Sequence, residues 1–165
     1  MTIDEVRAHV KHWVETTLSV PSPLFNNLPP CPYSRESLLR NTVDIRCVEG
    51  AALVDTLVAA GNTWDDRHEL ILFAVDPQSL APEALIAAVE GLREWSKAAD
   101  LVVFFDHPLN TDPKYRITSP NGKYLIVGLQ RLSLFLEAAK PLVKHQYFAR
   151  ASKQYLSDDR LKSIT

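Results

Sequence analysis

Cysteine is scarce in this chain: Cys31 and Cys47 are the two among 165 residues. Two thiols make no disulfide framework and cannot supply a structural zinc held by four cysteines. Glycine is nearly as rare, with five in all, so a glycine-rich loop cradling a phosphate is not expected. Accordingly there is no Walker loop and no GxGxxG, and HExxH, GxSxG and CxxC are also missing; ATP and NAD lose weight as ligands. No apolar run approaches the ~20 residues that a bilayer-spanning helix needs. The opening MTIDEVRAHVKHW carries Asp4, Glu5, Arg7 and Lys11, the charge pattern of neither a signal nor a transit peptide. The expected compartment is the cytoplasm. Internal repeats and low-complexity segments are absent too.

What is present is ordinary globular composition, 46% apolar and 23% charged, in a chain long enough to bury roughly two thirds of its unfolded surface without a staple. One α+β domain is expected over 1–165. Within it, N-terminal helices and a proline-rich loop would occupy 1–41, a sheet-and-helix core 42–146, and a basic segment 147–165. The net charge of -2 argues against nucleic acid as the main partner. The charge is uneven, however. Acids outnumber bases from Asp44 to Asp100, whereas Lys140, Lys144, Arg150, Lys153, Arg160 and Lys162 outweigh Asp158 and Asp159 near the end. Such a tail can attract an anionic partner or simply be a solvated helix.

Ile3, Val6, Val10, Trp13, Val14 and Thr17 recur at helical spacing, which predicts an amphipathic helix over 3–19, stopped by Pro21 and Pro23. Five prolines keep 21–32 irregular, although Leu24, Phe25 and Leu28 ask to be packed. A short helix over 33–40 follows. Alternation over 42–48 (Val43, Ile45 and Cys47 against Asp44 and Arg46) predicts a half-buried edge strand. A helix over 51–60 should stop at Gly61. The continuous apolar runs 69–75 and 101–105 suit interior strands covered on both faces. Between them Pro82 opens a helix with a Leu85, Val89, Leu92, Trp95 stripe. A fourth strand over 124–129 and a helix over 130–144 with Leu132, Phe135, Ala139, Leu142 and Val143 inward complete the core, before a weaker helix over 151–162. The fold class is a four-stranded mixed sheet packed with helices in two or three layers, with a ferredoxin-like variant among the options.

Cys31-Pro32-Tyr33-Ser34-Arg35 is the sharpest local feature. A cysteine just ahead of a helix meets unpaired N–H groups and the positive end of the helix dipole, and Arg35 adds positive charge, so its thiolate should be favoured. Cys31 should therefore titrate below an ordinary thiol and alkylate faster than Cys47, which points inward on its strand. The alternative is that Cys31 is a small apolar plug. CPYS is similar to the active-site tetrapeptide of monothiol glutaredoxins, but here NNLPP precedes it in place of a strand, and no later Thr-Val-Pro segment follows. Trp13-Val14-Glu15 together with Cys31-Pro32-Tyr33-Ser34-Arg35 resembles an uncharacterised bacterial family with an N-terminal W-[LV]-E helix and a C-P-[FY]-x-[KR] motif. That likeness covers about the first third of the chain and implies a motif role for Cys31 and Arg35, with no reaction attached.

Asp106-His107-Pro108 ends a strand, and ligands of open sheets gather outside strand C-termini. The connection over 108–123 is long enough to suggest function. It offers Asn110, Asp112, Lys114, Arg116, Asn121 and Lys123, while His107 changes charge near neutral pH. The expected catalytic set is Cys31, His107 and Asp106, meeting at one edge of the sheet. Arg35, Lys114, Arg116, Asn121 and Lys123 would bind substrate. Glu5, His9 and His12 share a helix face that could hold a divalent ion, but a solvated face is the simpler reading, and no metal is expected; the cofactor is left open. The leading expectation is a small soluble enzyme acting on an anionic small molecule. The competing one is a non-catalytic accessory subunit that binds a partner through the basic, aromatic C-terminal segment with Tyr147, Phe148 and Tyr155. A small-molecule ligand is expected, with a second copy or another protein as further partner, and no membrane.

Overall fold

The computed structural model of the chain describes residues 1–115, 119–143 and 147. The elements run α1 (Ile3–Trp13), α2 (Ser34–Leu39), β1 (Val43–Cys47), α3 (Leu53–Asn62), β2 (Leu70–Val75), α4 (Pro82–Gly91), α5 (Arg93–Ala98), β3 (Leu101–Asp106), β4 (Leu125–Arg131) and α6 (Leu132–Val143). The terminal helix expected over 151–162 and the side chain of Val143 lie outside the described residues.

Thr2 starts α1 with a capping box: its hydroxyl accepts from the Glu5 N–H, and the Glu5 carboxylate accepts from the Thr2 N–H at 2.8 Å. The helical path continues to Leu18, but Val14–Leu18 widens into a π segment. The proline-rich stretch is irregular apart from a single 3-10 turn at Pro23–Phe25, and Phe25 is buried as its apolar character asks.

The sheet order is β1-β2-β4-β3. β1 and β2 are parallel, and β4 is antiparallel to both β2 and β3. The fold is thus α+β with a mixed four-stranded sheet. It does not follow the β-α-β-β-α-β succession of ferredoxin-like folds, because α4 and α5 separate β2 from β3 and, among the described residues, no strand follows α6.

Helices cover both faces, making three layers. On one face Leu53, Leu57 and Ala60 of α3 and Leu85 of α4 pack on Ile71, Phe73, Val75, Leu101, Phe105, Leu125, Val127 and Leu129. On the other, Val6 and Val10 of α1 pack with Val14 on Leu72, Ala74 and Ile126, while Leu132 and Ala139 of α6 share a cluster with Val102, Phe25 and Tyr147.

Three expectations need correction. β3 is an edge strand, not an interior one. The direct β3–β4 return pairs these two strands, and β4 also fills the free side of β2, so β4 takes the interior place. β3 is apolar from Leu101 to Phe105 because both of its faces are covered, Leu101 and Phe105 on one and Val102 on the other. A continuous apolar run reports face burial and not the number of lateral neighbours. Second, Gly61 does not stop α3 but lies inside it, where an added Cβ would sit 2.6 Å from the Trp95 ring. Its bareness admits the tryptophan. Third, the helix opened by Pro82 breaks at Leu92, just after Gly91, a poor helix former.

Gly128 is the most constrained position of the sheet. It pairs with Phe104 across β3–β4, and the aromatic ring occupies the space of the missing side chain, 2.0 Å from where a Cβ would stand. Gly128→Val should therefore destabilise the chain by about 1–3 kcal/mol through overpacking, read from the urea midpoint. An unchanged midpoint would mean that Phe104 can swing away at no cost.

Candidate functional site

The residues around the β3–β4 connection form one hydrogen-bonded knot. Asp106 closes β3 and is buried. Its Oδ2 accepts from the Asn121 main-chain N–H at 2.6 Å and from Asn121 Nδ2 at 2.5 Å. Asn121 also donates through Nδ2 to the Tyr124 carbonyl at 2.9 Å. Its Oδ1 accepts from the N–H groups of Tyr124 at 2.8 Å and Lys123 at 3.1 Å. One amide thus returns the chain into β4 while gripping the carboxylate that ends β3. Burial pushes the Asp106 carboxyl above its ordinary value, against the opposing pull of the Asn121 donors and of His107.

α1 holds the knot from one side. His9 Nε2 lies 3.3 Å from Asn121 Oδ1, the His9 ring meets Tyr124 edge-on at 5.1 Å, and Trp13 Nε1 donates to the Ser119 carbonyl at 3.2 Å. Glu5 is engaged in the capping box, so the face of Glu5, His9 and His12 is divided between a cap and the knot. Among the described residues no three His, Cys, Asp or Glu side chains gather as a metal site would require. The part played by His9 and Trp13 had no signal in the sequence, since their partners are more than a hundred positions away.

His107 is buried on the opposite side of the sheet from α1. The Leu109 N–H donates to its Nδ1 at 3.2 Å, which leaves Nε2 to carry the proton and donate to the Leu80 carbonyl at 2.8 Å. Both ring nitrogens are thereby used by main chain, tying the end of β3 to the segment before α4. Further along, Asp112 N–H bonds Asn110 Oδ1 at 3.1 Å and Lys114 N–H bonds Asp112 Oδ1 at 2.8 Å, two successive side-chain turns. Tyr115 stacks on Phe105 with ring centroids 5.9 Å apart, donates its hydroxyl to Glu90 and accepts from Lys114. That hydrogen bond raises the Lys114 ammonium above its ordinary value, as a bond to Tyr124 does for the exposed Lys123. Arg116 lies outside the described residues.

Cys31 is elsewhere. Its N–H donates to the Leu18 carbonyl at 2.9 Å, and its carbonyl accepts from the Ser34 N–H at 3.2 Å and hydroxyl at 2.8 Å. Tyr33 next to it donates to the Ala138 carbonyl of α6 at 3.0 Å. Cys31 thus belongs to the layer of α1, α2 and α6, while the His107 ring turns to the layer of α4. Among the described residues no hydrogen bond joins the two. The expectation of a favoured thiolate is overturned as well: burial pushes the Cys31 thiol up, and the donors of Ser34 and Tyr33 only partly oppose it. Arg35 is exposed on a helix of one and a half turns. Cys47, expected to be shielded, is exposed at the last residue of the edge strand.

Together these residues can hold a buried carboxyl, an imidazole fixed by main-chain hydrogen bonds and two exposed ammonium groups, but they do not bring a thiol to a base. No family model, curated protein or solved structure matches the chain.

Two outcomes follow. Timed iodoacetamide labelling with peptide mapping should modify Cys47 faster than Cys31, because the thiolate of Cys31 is disfavoured by burial; the reverse order would restore an activated Cys31. The second concerns Asp106. Its folded-state carboxyl titrates above the unfolded value, so the folded state binds more protons in that window and stability falls as pH rises through it. Asp106→Asn keeps an acceptor for Asn121 and removes the charge. The variant should gain on the natural chain as pH rises from the acid side toward neutrality. Urea midpoints of the two chains across that range test this, and a constant difference would refute it.

Proposed function

We propose that this chain is a non-catalytic, partner-binding subunit that meets an acidic protein surface through its basic C-terminal segment and the apolar surface beside it. The observation that carries this reading is the use of His107: main-chain groups occupy both ring nitrogens, so the residue best suited to move protons is spent on holding a loop. Cys31 adds to it, since a desolvated thiol pushed up by burial is a poor nucleophile. These two observations weaken the enzyme reading at the residues that would carry it.

The positive support comes from one region. Tyr147, the last described residue, lies on Phe25 with ring centroids 5.1 Å apart and donates to the Pro30 carbonyl. Leu24, next in sequence to Phe25, and Tyr33, bonded to the Ala138 carbonyl of α6, leave large apolar side chains exposed. The sequence beyond it carries Arg150, Lys153, Arg160 and Lys162 with Phe148 and Tyr155. Against Asp158 and Asp159 these four bases leave the segment basic, and apolar anchors combined with a charge excess are a common composition for a protein interface. Two unpaired cysteines suit a reducing compartment, and we place the protein in the cytoplasm. Among the described residues no helix is long and apolar enough to cross a membrane.

Affinity purification from the source cell, comparing the full chain with one ending at Tyr147, tests the reading. The full chain should bring down one acidic protein in fixed stoichiometry. Truncation should lose it, and raising salt from about 0.1 to about 0.5 M should weaken it, since screening shortens the reach of the charges. Retention by the truncated chain, or recovery of a bound small anion with no protein, would sink the proposal and return weight to the enzyme reading.

A further inference from the structure

β1 ends the sheet, and its free side is built for pairing. The Val48 N–H donates to the Ala74 carbonyl at 3.0 Å, and the Thr42 carbonyl accepts from the Leu70 N–H at 3.4 Å. Residues facing a neighbour alternate along a strand, so Thr42, Asp44, Arg46 and Val48 turn their main chain toward β2. Val43, Ile45 and Cys47 therefore turn their N–H and C=O groups outward. Among the described residues no hydrogen bond takes these groups up. None of the β1 residues is fully buried, whereas all of β2 after its first residue is. Three devices that blunt an edge are missing from β1: VDIRC contains no proline and no lysine, and its register with β2 runs without a bulge.

The strand is also complementary to itself. Read against its own reverse, VDIRC sets Val43 against Cys47, Asp44 against Arg46 and Ile45 against Ile45. Asp44 and Arg46 already lie on one face of the strand, joined by an ion pair of 2.7 Å, and the Arg46 guanidinium is steadied 5.8 Å from the centre of the Phe73 ring. We propose that this edge docks a second copy of the chain, β1 pairing antiparallel with β1 of its mate about a twofold axis between the two Ile45 residues. In that register every outward N–H of Val43, Ile45 and Cys47 meets a carbonyl of the other copy. Each Asp44 stands across from an Arg46. The register also selects itself. A slip of two residues, the smallest that keeps the outward groups facing each other, sets Asp44 against Asp44 or Arg46 against Arg46, and like charges directly opposite are unfavourable. The two four-stranded sheets then become one continuous sheet, and the exposed edge disappears.

This inference rests on β1 alone. Removing the residues after Tyr147 leaves β1 intact, so failure of the proposed partner and failure of the dimer are separate results. Sedimentation of the full chain over a wide concentration range is the measurement. The natural chain should pass from monomer to dimer with rising concentration. Asp44→Arg and Arg46→Asp should each raise the dimer dissociation constant at least about tenfold, because each brings like charges face to face. An equimolar mixture of the two variants should dimerise again, since each then offers the charge the other needs. Cys47→Pro should weaken the dimer without any charge change, as it deletes an outward N–H that β2 does not use. Circular dichroism confirms that each variant is folded, and the mixture rescue covers the case of a locally disturbed strand. A natural chain that stays monomeric at every concentration overturns the proposal, as do reversal variants that dimerise like the natural chain and a mixture of folded variants that stays monomeric.

Discussion

A carboxylate buried at the end of β3 organises much of this molecule. Asp106 is largely withdrawn from water where it stands, and an unpaired buried charge is costly. Its oxygen is met by two donors of a single residue, Asn121, and those bonds decide where the chain must return. Because Asn121 also bonds the main chain of Tyr124, the return leads straight into β4 in antiparallel register. β4 then joins β3 to β2, and the sheet order follows. His9 and Trp13 reach the same knot from α1, so the N-terminal helix is held to the sheet by polar bonds as well as by its Val6 and Val10 stripe.

The same knot gives residues with reactive chemistry structural partners. A strand end with Asp, His and Asn nearby has the composition of a catalytic cluster, yet each group is satisfied by main chain or by its neighbour. A long loop has many N–H and C=O groups to satisfy, and where no regular element does so, polar side chains must. The polarity of the 107–123 connection answers that need first. What the described residues present outward is of another kind: a strand edge at β1 whose outward main-chain groups take part in no hydrogen bond among the described residues, and exposed apolar side chains such as Leu24 and Tyr33.

The elements themselves were legible. All four strands and the helices of the described core stand close to where periodicity puts them, since alternation and the 3.6-residue stripe are direct records of which side chains face a core. Errors cluster where one pattern serves two environments. The apolar run of β3 is the same whether a strand has neighbours on both sides or helices on both faces. Gly61 looks like a helix stop, yet is bare because Trp95 occupies its space. Cys31 stands where a helix end should favour its thiolate, but burial pushes its thiol up. None of these competitors is local, so no window of sequence holds them.

From the sequence alone came the kinds and rough bounds of the elements, the edge place of β1, the polarity of the β3–β4 connection and the absence of a nucleotide or zinc motif. These depend on the side chain of each residue and its near neighbours, which the sequence states directly. Tertiary structure alone decided that β4 and not β3 lies inside the sheet, that Cys31 and His107 face different layers, that His9 reaches Asn121, and that Cys47 is more open than Cys31. Each of these depends on which distant segments share a surface, and that is set by the packing of whole faces and by a few buried polar bonds.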